Sequence, residues 1–168
     1  MVRAMQRLLL ALLACSLIAA GGPKATANPG SALSSAAPAQ VAVGFDAGLA
    51  AFERQDWQAV IDIMAQVIEE EPWHDEAYNR MGFAYRKLGD FDRALEAYDK
   101  ALRLNPDNRG AMEYLGETYL ELGRIDAAEA MLTQLEAACA TVAGACEEWR
   151  DLKAAYDARL VSNMTGTN

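Results

Sequence analysis

The feature that most constrains this chain is repetition at a spacing of 34 residues. Ala77 to Pro106 reads AYNRMGFAYRKLGDFDRALEAYDKALRLNP, and from Ala111 the chain continues AMEYLGETYLELGRIDAAEAMLTQLE. Gly82 pairs with Gly116, Tyr85 with Tyr119, Leu88-Gly89 with Leu122-Gly123, Asp92 with Asp126 and Ala94 with Ala128. The same offset runs backwards more faintly, from Gly48 to Gly82, Asp56-Trp57 to Asp90-Phe91, Met64 to Tyr98 and Pro72 to Pro106. One structural unit is used three times, so whatever it buries must be buried against copies of itself.

The unit is a helical hairpin. Apolar residues at 78, 81 and 85, and again at 94, 98, 101 and 102, follow helical spacing, and Gly89-Asp90 between them is a stop and restart signal. Gly82 and Ala94 lack bulk where the two helices cross, while Tyr and Leu side chains fill the space around the contact. A lone hairpin leaves apolar faces open, so the units must stack and the outermost face needs a cap.

These residues resemble the tetratricopeptide repeat family. Tyr78, Met81, Gly82 and Tyr85 stand at that family's first-helix positions, Ala94, Tyr98 and Ala101 at its second-helix positions, and Pro106 closes the unit. The next unit has Met112, Leu115, Gly116, Tyr119, Ala128, Leu132 and Leu135, with Ala140 in place of the closing proline. The first unit, with Gly44, Ala47, Gly48, Ala51, Val60, Met64 and Val67, keeps size class only in places, although Pro72 remains. The resemblance implies an all-α fold: a solenoid of about three hairpin repeats, near 41–74, 75–108 and 109–140, within a domain spanning 41–161. Helices are expected near 41–54, 57–70, 75–88, 91–104, 109–122, 125–138 and 146–160. The last of these carries Trp149, Leu152, Tyr156 and Leu160 on one stripe with charges opposite, as a solvating cap should.

Cys139 and Cys146 bracket the turn before that cap. Three readings of the pair are open. A disulfide would close a loop of eight residues, stabilise by roughly 2.5 kcal/mol and pin the cap. A redox couple usually has the CxxC spacing, and Glu147 and Glu148 disfavour a thiolate at Cys146. Copper could be held by the two sulfurs with Met131, although methionines such as Met64, Met81 and Met131 at helical spacing suit a core.

The amino-terminal end reads as a secretory signal. Arg3 and Arg7 precede an apolar run from Leu8 to Ala20, 13 residues, short of the ~20 a membrane-spanning helix needs, and Gly21-Gly22-Pro23 ends it. Small residues at Ala25 and Ala27 place cleavage after Ala27, with residues 28–40 a flexible leader and 162–168 a disordered tail. The expectation is an exported, periplasmic protein; acylation of Cys15, giving a membrane-tethered lipoprotein, is the alternative. The full chain has 15 basic and 24 acidic residues; without Arg3, Arg7 and Lys24 the balance is 12 against 24, a charge of −12. Such a surface argues against nucleic acid and anionic membrane as partners. His74, the one histidine, lies in the turn Pro72-Trp73-His74-Asp75 and is expected on the solvent side. No phosphate loop or metal-ligand spacing accompanies it, so neither enzyme chemistry nor a cofactor is expected.

Binding remains, and here the resemblance supplies positions. In the tetratricopeptide family the first helix of each unit lines a concave groove, which implies Phe45, Leu49 and Phe52 from the first unit, Asn79, Arg80, Phe83 and Arg86 from the second, and Glu113, Tyr114 and Glu117 from the third. The family's chaperone-tail clamp is absent: its places hold Phe45, Leu49, Arg80, Gly110 and Tyr114. The implied partner is a peptide or protein with an apolar anchor, and Arg80 and Arg86 should meet something acidic, either Glu113 and Glu117 or a ligand carboxylate. Phe45 and Phe52 can alternatively pack on neighbouring chain.

Overall fold

The computed structural model describes residues 38–140 and 146–166, and these form seven helices, the first six joined by short turns. They are α1 (Pro38–Glu53), α2 (Trp57–Glu70), α3 (Asp75–Lys87), α4 (Phe91–Leu104), α5 (Arg109–Glu121), α6 (Ile125–Cys139) and α7 (Glu147–Thr165). The expected signal peptide and most of the expected leader lie outside the described residues. Two boundaries differ from expectation. Helix α1 begins at Pro38, inside the expected leader, and α7 continues through Ser162 to Thr165, inside the expected tail, before Gly166 ends it at φ +68°. Proline suits a first helical turn, and a left-handed glycine suits a last one.

The 34-residue period recurs in the capping chemistry. Asp56 and Asp90 cap the second helices by accepting from the Ala59 and Arg93 backbone N–H groups, at 3.3 and 3.2 Å. His74 and Asn108 cap α3 and α5 in the same way, accepting from Ala77 and Ala111 at 3.2 and 2.9 Å. Each hairpin turn also carries one left-handed residue: Gln55 (φ 58°), Gly89 (φ 78°) and Gly123 (φ 70°).

Successive helices pack as antiparallel hairpins, α1 on α2, α3 on α4 and α5 on α6, with α7 lying on both α5 and α6. The core forms three adjoining clusters. Ala51, Val60, Met64 and Val67 centre the first, Ala94, Tyr98 and Ala101 the second, and Leu132, Leu135 and Leu152 the third. A glycine admits a large side chain in each. A Cβ at Gly48 would stand 2.5 Å from the Met64 methyl, one at Gly82 would stand 2.8 Å from the Tyr98 ring, and one at Gly116 would stand 2.6 Å from Leu152. The fully buried Leu152, from the cap, thus fills the notch of the last hairpin. Cys139 and Cys146 are bonded to each other with Cα atoms 5.7 Å apart, so the sulfurs join the end of α6 to the residue before α7.

Candidate functional site: an aromatic and acidic groove

Helices α1, α3 and α5 stand side by side, and the residues expected to line the groove fall into two groups. Phe52, Phe83 and Tyr114 form a ladder from one repeat to the next, with ring centroids 4.8 Å apart at each step, and Trp57 closes on Phe52 and Phe83 at 5.4 and 5.6 Å. All are half-buried, each presenting part of its ring to solvent. The Arg80 guanidinium lies 5.0 Å over Phe52, and Lys87 Nζ lies 4.9 Å over Phe83. Phe52, Trp57, Phe83 and Lys87 border an open cleft of about 520 Å3.

Two expected lining residues, Asn79 and Phe45, are engaged away from the ladder. Asn79 is 1% exposed; its Nδ2 donates to Glu76 Oε2 at 3.1 Å, within a polar knot in which Asn105 and Asn108 donate to Asp75. Asn105 and Asn108 tie the turn before α5 to Asp75 and Glu76 at the start of α3, and the Asn79 bond stays within α3 beneath them. Phe45 stacks on His74 with centroids 4.6 Å apart, and both Phe45 and Phe52 also pack against the first core cluster. His74 is therefore not a free turn residue, since it caps α3 through Nδ1 and packs on Phe45. Leu49 is half-buried on α1.

The charged residues are arranged along α5, where Glu113, Glu117 and Glu121 lie four residues apart on one stripe. Arg86 reaches across from α3 and forks, with Nη1 2.5 Å from Glu117 and Nη2 2.5 Å from Glu121. Its side chain is 9% exposed; burial alone would lower its pKa, yet hydrogen bonds and charge from the two carboxylates more than offset this and raise it. Arg80 pairs within its own helix, with Glu76 at 2.6 Å. Both arginines thus meet internal carboxylates, and Glu121, which sequence reasoning did not single out, takes half of Arg86.

Glu113 is the carboxylate left over. Helix α7 brings Glu148 and Asp151 toward it, with Glu148 itself 3.4 Å from Arg109. Burial pushes the Glu113 carboxyl up to about 7, and Glu117, Asp151 and Glu148 push the same way against a smaller opposing effect from Arg86. Tyr114 is raised as well, by burial first and then by Glu113. Below them Tyr98, wholly buried, crosses Gly82 and carries its hydroxyl toward Thr118, Tyr114 and Glu117. The Thr118 hydroxyl is committed to the Tyr114 carbonyl at 2.6 Å, and the Tyr98 hydroxyl has no partner of good hydrogen-bond geometry.

A tetratricopeptide repeat model matches residues 75–108, and a second matches residues 97–130. The chain is a tetratricopeptide repeat protein. The mouse FK506-binding protein-like protein is 39% identical over 62 residues, which is 37% of this chain and 18% of the relative. This tetratricopeptide repeat chain thus matches less than a fifth of that relative's length. Among solved structures, the TPR2B domain of yeast Sti1, described as a complex with pHsp70, has a TM-score of 0.68 at 18% identity, over 74% of this chain and 98% of its own. The Yersinia enterocolitica type III secretion chaperone SycD, solved with a peptide of the translocator YopD, has a TM-score of 0.64 at 11% identity, over 79% of this chain and 98% of its own. At these identities the likeness is one of fold.

Among the described residues no helix is long and apolar enough to cross a membrane, and no group of His, Cys, Asp and Glu is arranged to hold a metal ion.

Proposed function

We propose that this protein is an exported, periplasmic interaction module that holds a polypeptide segment in the groove of α1, α3 and α5, and that it performs no chemistry on it. One observation carries the reading: the ladder Phe52–Phe83–Tyr114, stepping from repeat to repeat at 4.8 Å and left half-open. A fold selected only for stability has no need to align exposed ring edges along one face, whereas such a ladder offers an extended or helical segment a continuous apolar track. The structural neighbours support this, because the Sti1 domain and SycD were both solved with polypeptide partners. The export reading rests on Arg3, Arg7 and the apolar run that follows, and it suits a disulfide between Cys139 and Cys146.

Placing a photo-crosslinking amino acid at Leu49 or Tyr114, and at the exposed Glu69 on α2 as a control, tests the groove in the native cell. A discrete polypeptide adduct from the groove positions and not from the control is expected. Equal labelling from both faces would overturn the reading. Amino-terminal sequencing of the mature protein should begin at Asn28; acylated Cys15 in the membrane fraction would replace a free periplasmic module with a tethered one.

A further inference from the structure

Arg159 of α7 stands at the end of the groove with nothing to bond. It lines a cleft of about 350 Å3 between α5 and α7, beside Arg86, Glu117 and Glu121 and against an apolar wall of Leu120, Ala155 and Ala158. Among the described residues it forms no ion pair and no hydrogen bond, and its Nε is buried without an acceptor. The side chain is half-buried, with Nη2 3.9 Å from where a Cβ at Gly123 would stand. The surrounding charges do not answer it. Glu117 and Glu121 are both held by Arg86, at 2.5 Å each, and Asp157 on its own helix is held by Lys153. Lys87 and Glu53 border the aromatic cleft of Phe52, Trp57 and Phe83 from α3 and α1, Arg124 and Asp126 lie at and just after the α5–α6 turn, and all four are exposed to water. Net charge at this end is therefore close to balance. What sets Arg159 apart is that it is partly withheld from water, with a buried donor left unsatisfied, while its neighbours are either paired or solvated.

Resting on the reading of the groove as a polypeptide site, we infer that this cleft is its anion seat: an Asp or Glu of the bound segment docks on the Arg159 guanidinium, with its stem against Leu120, Ala155 and Ala158. A neutral carbonyl would satisfy the hydrogen bonds alone. A segment that covers the cleft also strips water from the guanidinium charge, and a carboxylate offsets that loss with forked, charge-assisted bonds. The seat adjoins the ladder, because Arg86 lines the cleft and its guanidinium carbon lies 5.9 Å from the Phe83 ring centroid. The acid thus falls about one helix-to-helix spacing, roughly 10 Å, from an apolar anchor on Phe83 and Tyr114, which is about three residues of an extended segment or two turns of a helix. The chain's charge of −12, counted without Arg3, Arg7 and Lys24, repels a run of acids, so the fitting pattern is a single carboxylate among uncharged residues.

A random 12-residue peptide library displayed on phage and panned on the full chain supplies ligands, and a double-mutant cycle tests the seat. Enriched peptides should carry an Asp or Glu about three or about seven residues from an aromatic or large aliphatic residue. Changing that acid to its amide should weaken binding about tenfold on the wild-type protein and leave it nearly unchanged on Arg159→Gln. Arg159→Lys, which keeps the charge and loses the fork, should recover part of the affinity and carries the cycle if Arg159→Gln does not fold. Phe83→Leu, which keeps apolar volume while removing the ring, reports on the groove separately, with circular dichroism verifying the fold of each variant. Peptides that weaken on Phe83→Leu but lack an acid, or whose acid matters as much without Arg159 as with it, would overturn the anion seat and leave the groove standing. No enrichment, or peptides indifferent to Phe83→Leu, would overturn both.

Discussion

Gly82 of α3 is the floor on which the Tyr98 ring of α4 rests: three ring atoms lie within 3.1 Å of where a Cβ at residue 82 would be. The equivalent glycines 34 residues to either side receive a thioether and an isobutyl group instead, and these differ from an aromatic ring in how readily they yield. Gly→Ala at the three sites therefore sets two effects against each other. Removing a mid-helix glycine gains roughly 0.5–1 kcal/mol, while displacing the packed side chain loses up to about 1–3 kcal/mol. The rigid ring should give the largest loss, Leu152 at Gly116 an intermediate one, and flexible Met64 at Gly48 almost none. Thermal denaturation of Gly82→Ala, Gly116→Ala and Gly48→Ala should rank them in that order.

Arg86 and Arg80 should part company on truncation. Arg86 has a 9% exposed side chain and two carboxylate partners, and Arg86→Ala leaves Glu117 and Glu121 facing one another beside Glu113. A loss of about 1–3 kcal/mol is expected. Arg80→Ala breaks one partly exposed pair and a contact with Phe52, and should cost under about 1 kcal/mol. Urea midpoints at low and high salt check both.

The Glu113 carboxyl makes stability depend on pH. Its pKa rises from an ordinary 4.5 to about 7 on folding, so between these values the folded state binds the proton that the unfolded chain releases. Stability therefore falls as pH climbs from about 4.5 to about 7 and stays low above that. Glu113→Gln should match wild type at pH 4 and exceed it at pH 8. The group is half exposed, so solvent screening limits the gain to about 1 kcal/mol, a few degrees in Tm.

Replacing Cys139 and Cys146 with serine removes a clip on an eight-residue loop, a loss of roughly 2 kcal/mol, or on the order of 5–10 °C in Tm. Melting curves of wild type with and without reductant should reproduce the shift. Peptide affinity at low temperature should change little, since the bond lies outside the aromatic ladder.

The fold was legible because its signals are local and periodic. Asp56 and Asp90 cap through their own side chains, Gly89 and Gly123 reverse the chain, and each lies 34 residues from its counterpart. Departures occur where the period carries a different residue: Gln55 adopts the left-handed backbone that glycine takes at 89 and 123, and Arg124 stands in the capping place without a side-chain bond. The site was less legible. Which acid Arg86 meets depends on how α5 is offset against α3, and that offset places Glu121, not Glu113, within reach. His74 occupies the capping position of Asn108 one period later, a signal available in the sequence that its solitary imidazole obscured. Asn79 resembles a groove residue by position alone; its burial follows from Asp75, Glu76, Asn105 and Asn108 gathering around it and around each other.

The bond from Cys139 to Cys146 also changes the chain's connectivity. Between those residues the backbone is one of two covalent routes from α6 to α7, the other being through sulfur. A protease that severs any single peptide bond within that interval yields a nicked molecule, not two fragments, and it migrates as one species until a reductant is added. The capping helix thus survives the kind of cut that would shed the end of an ordinary solenoid.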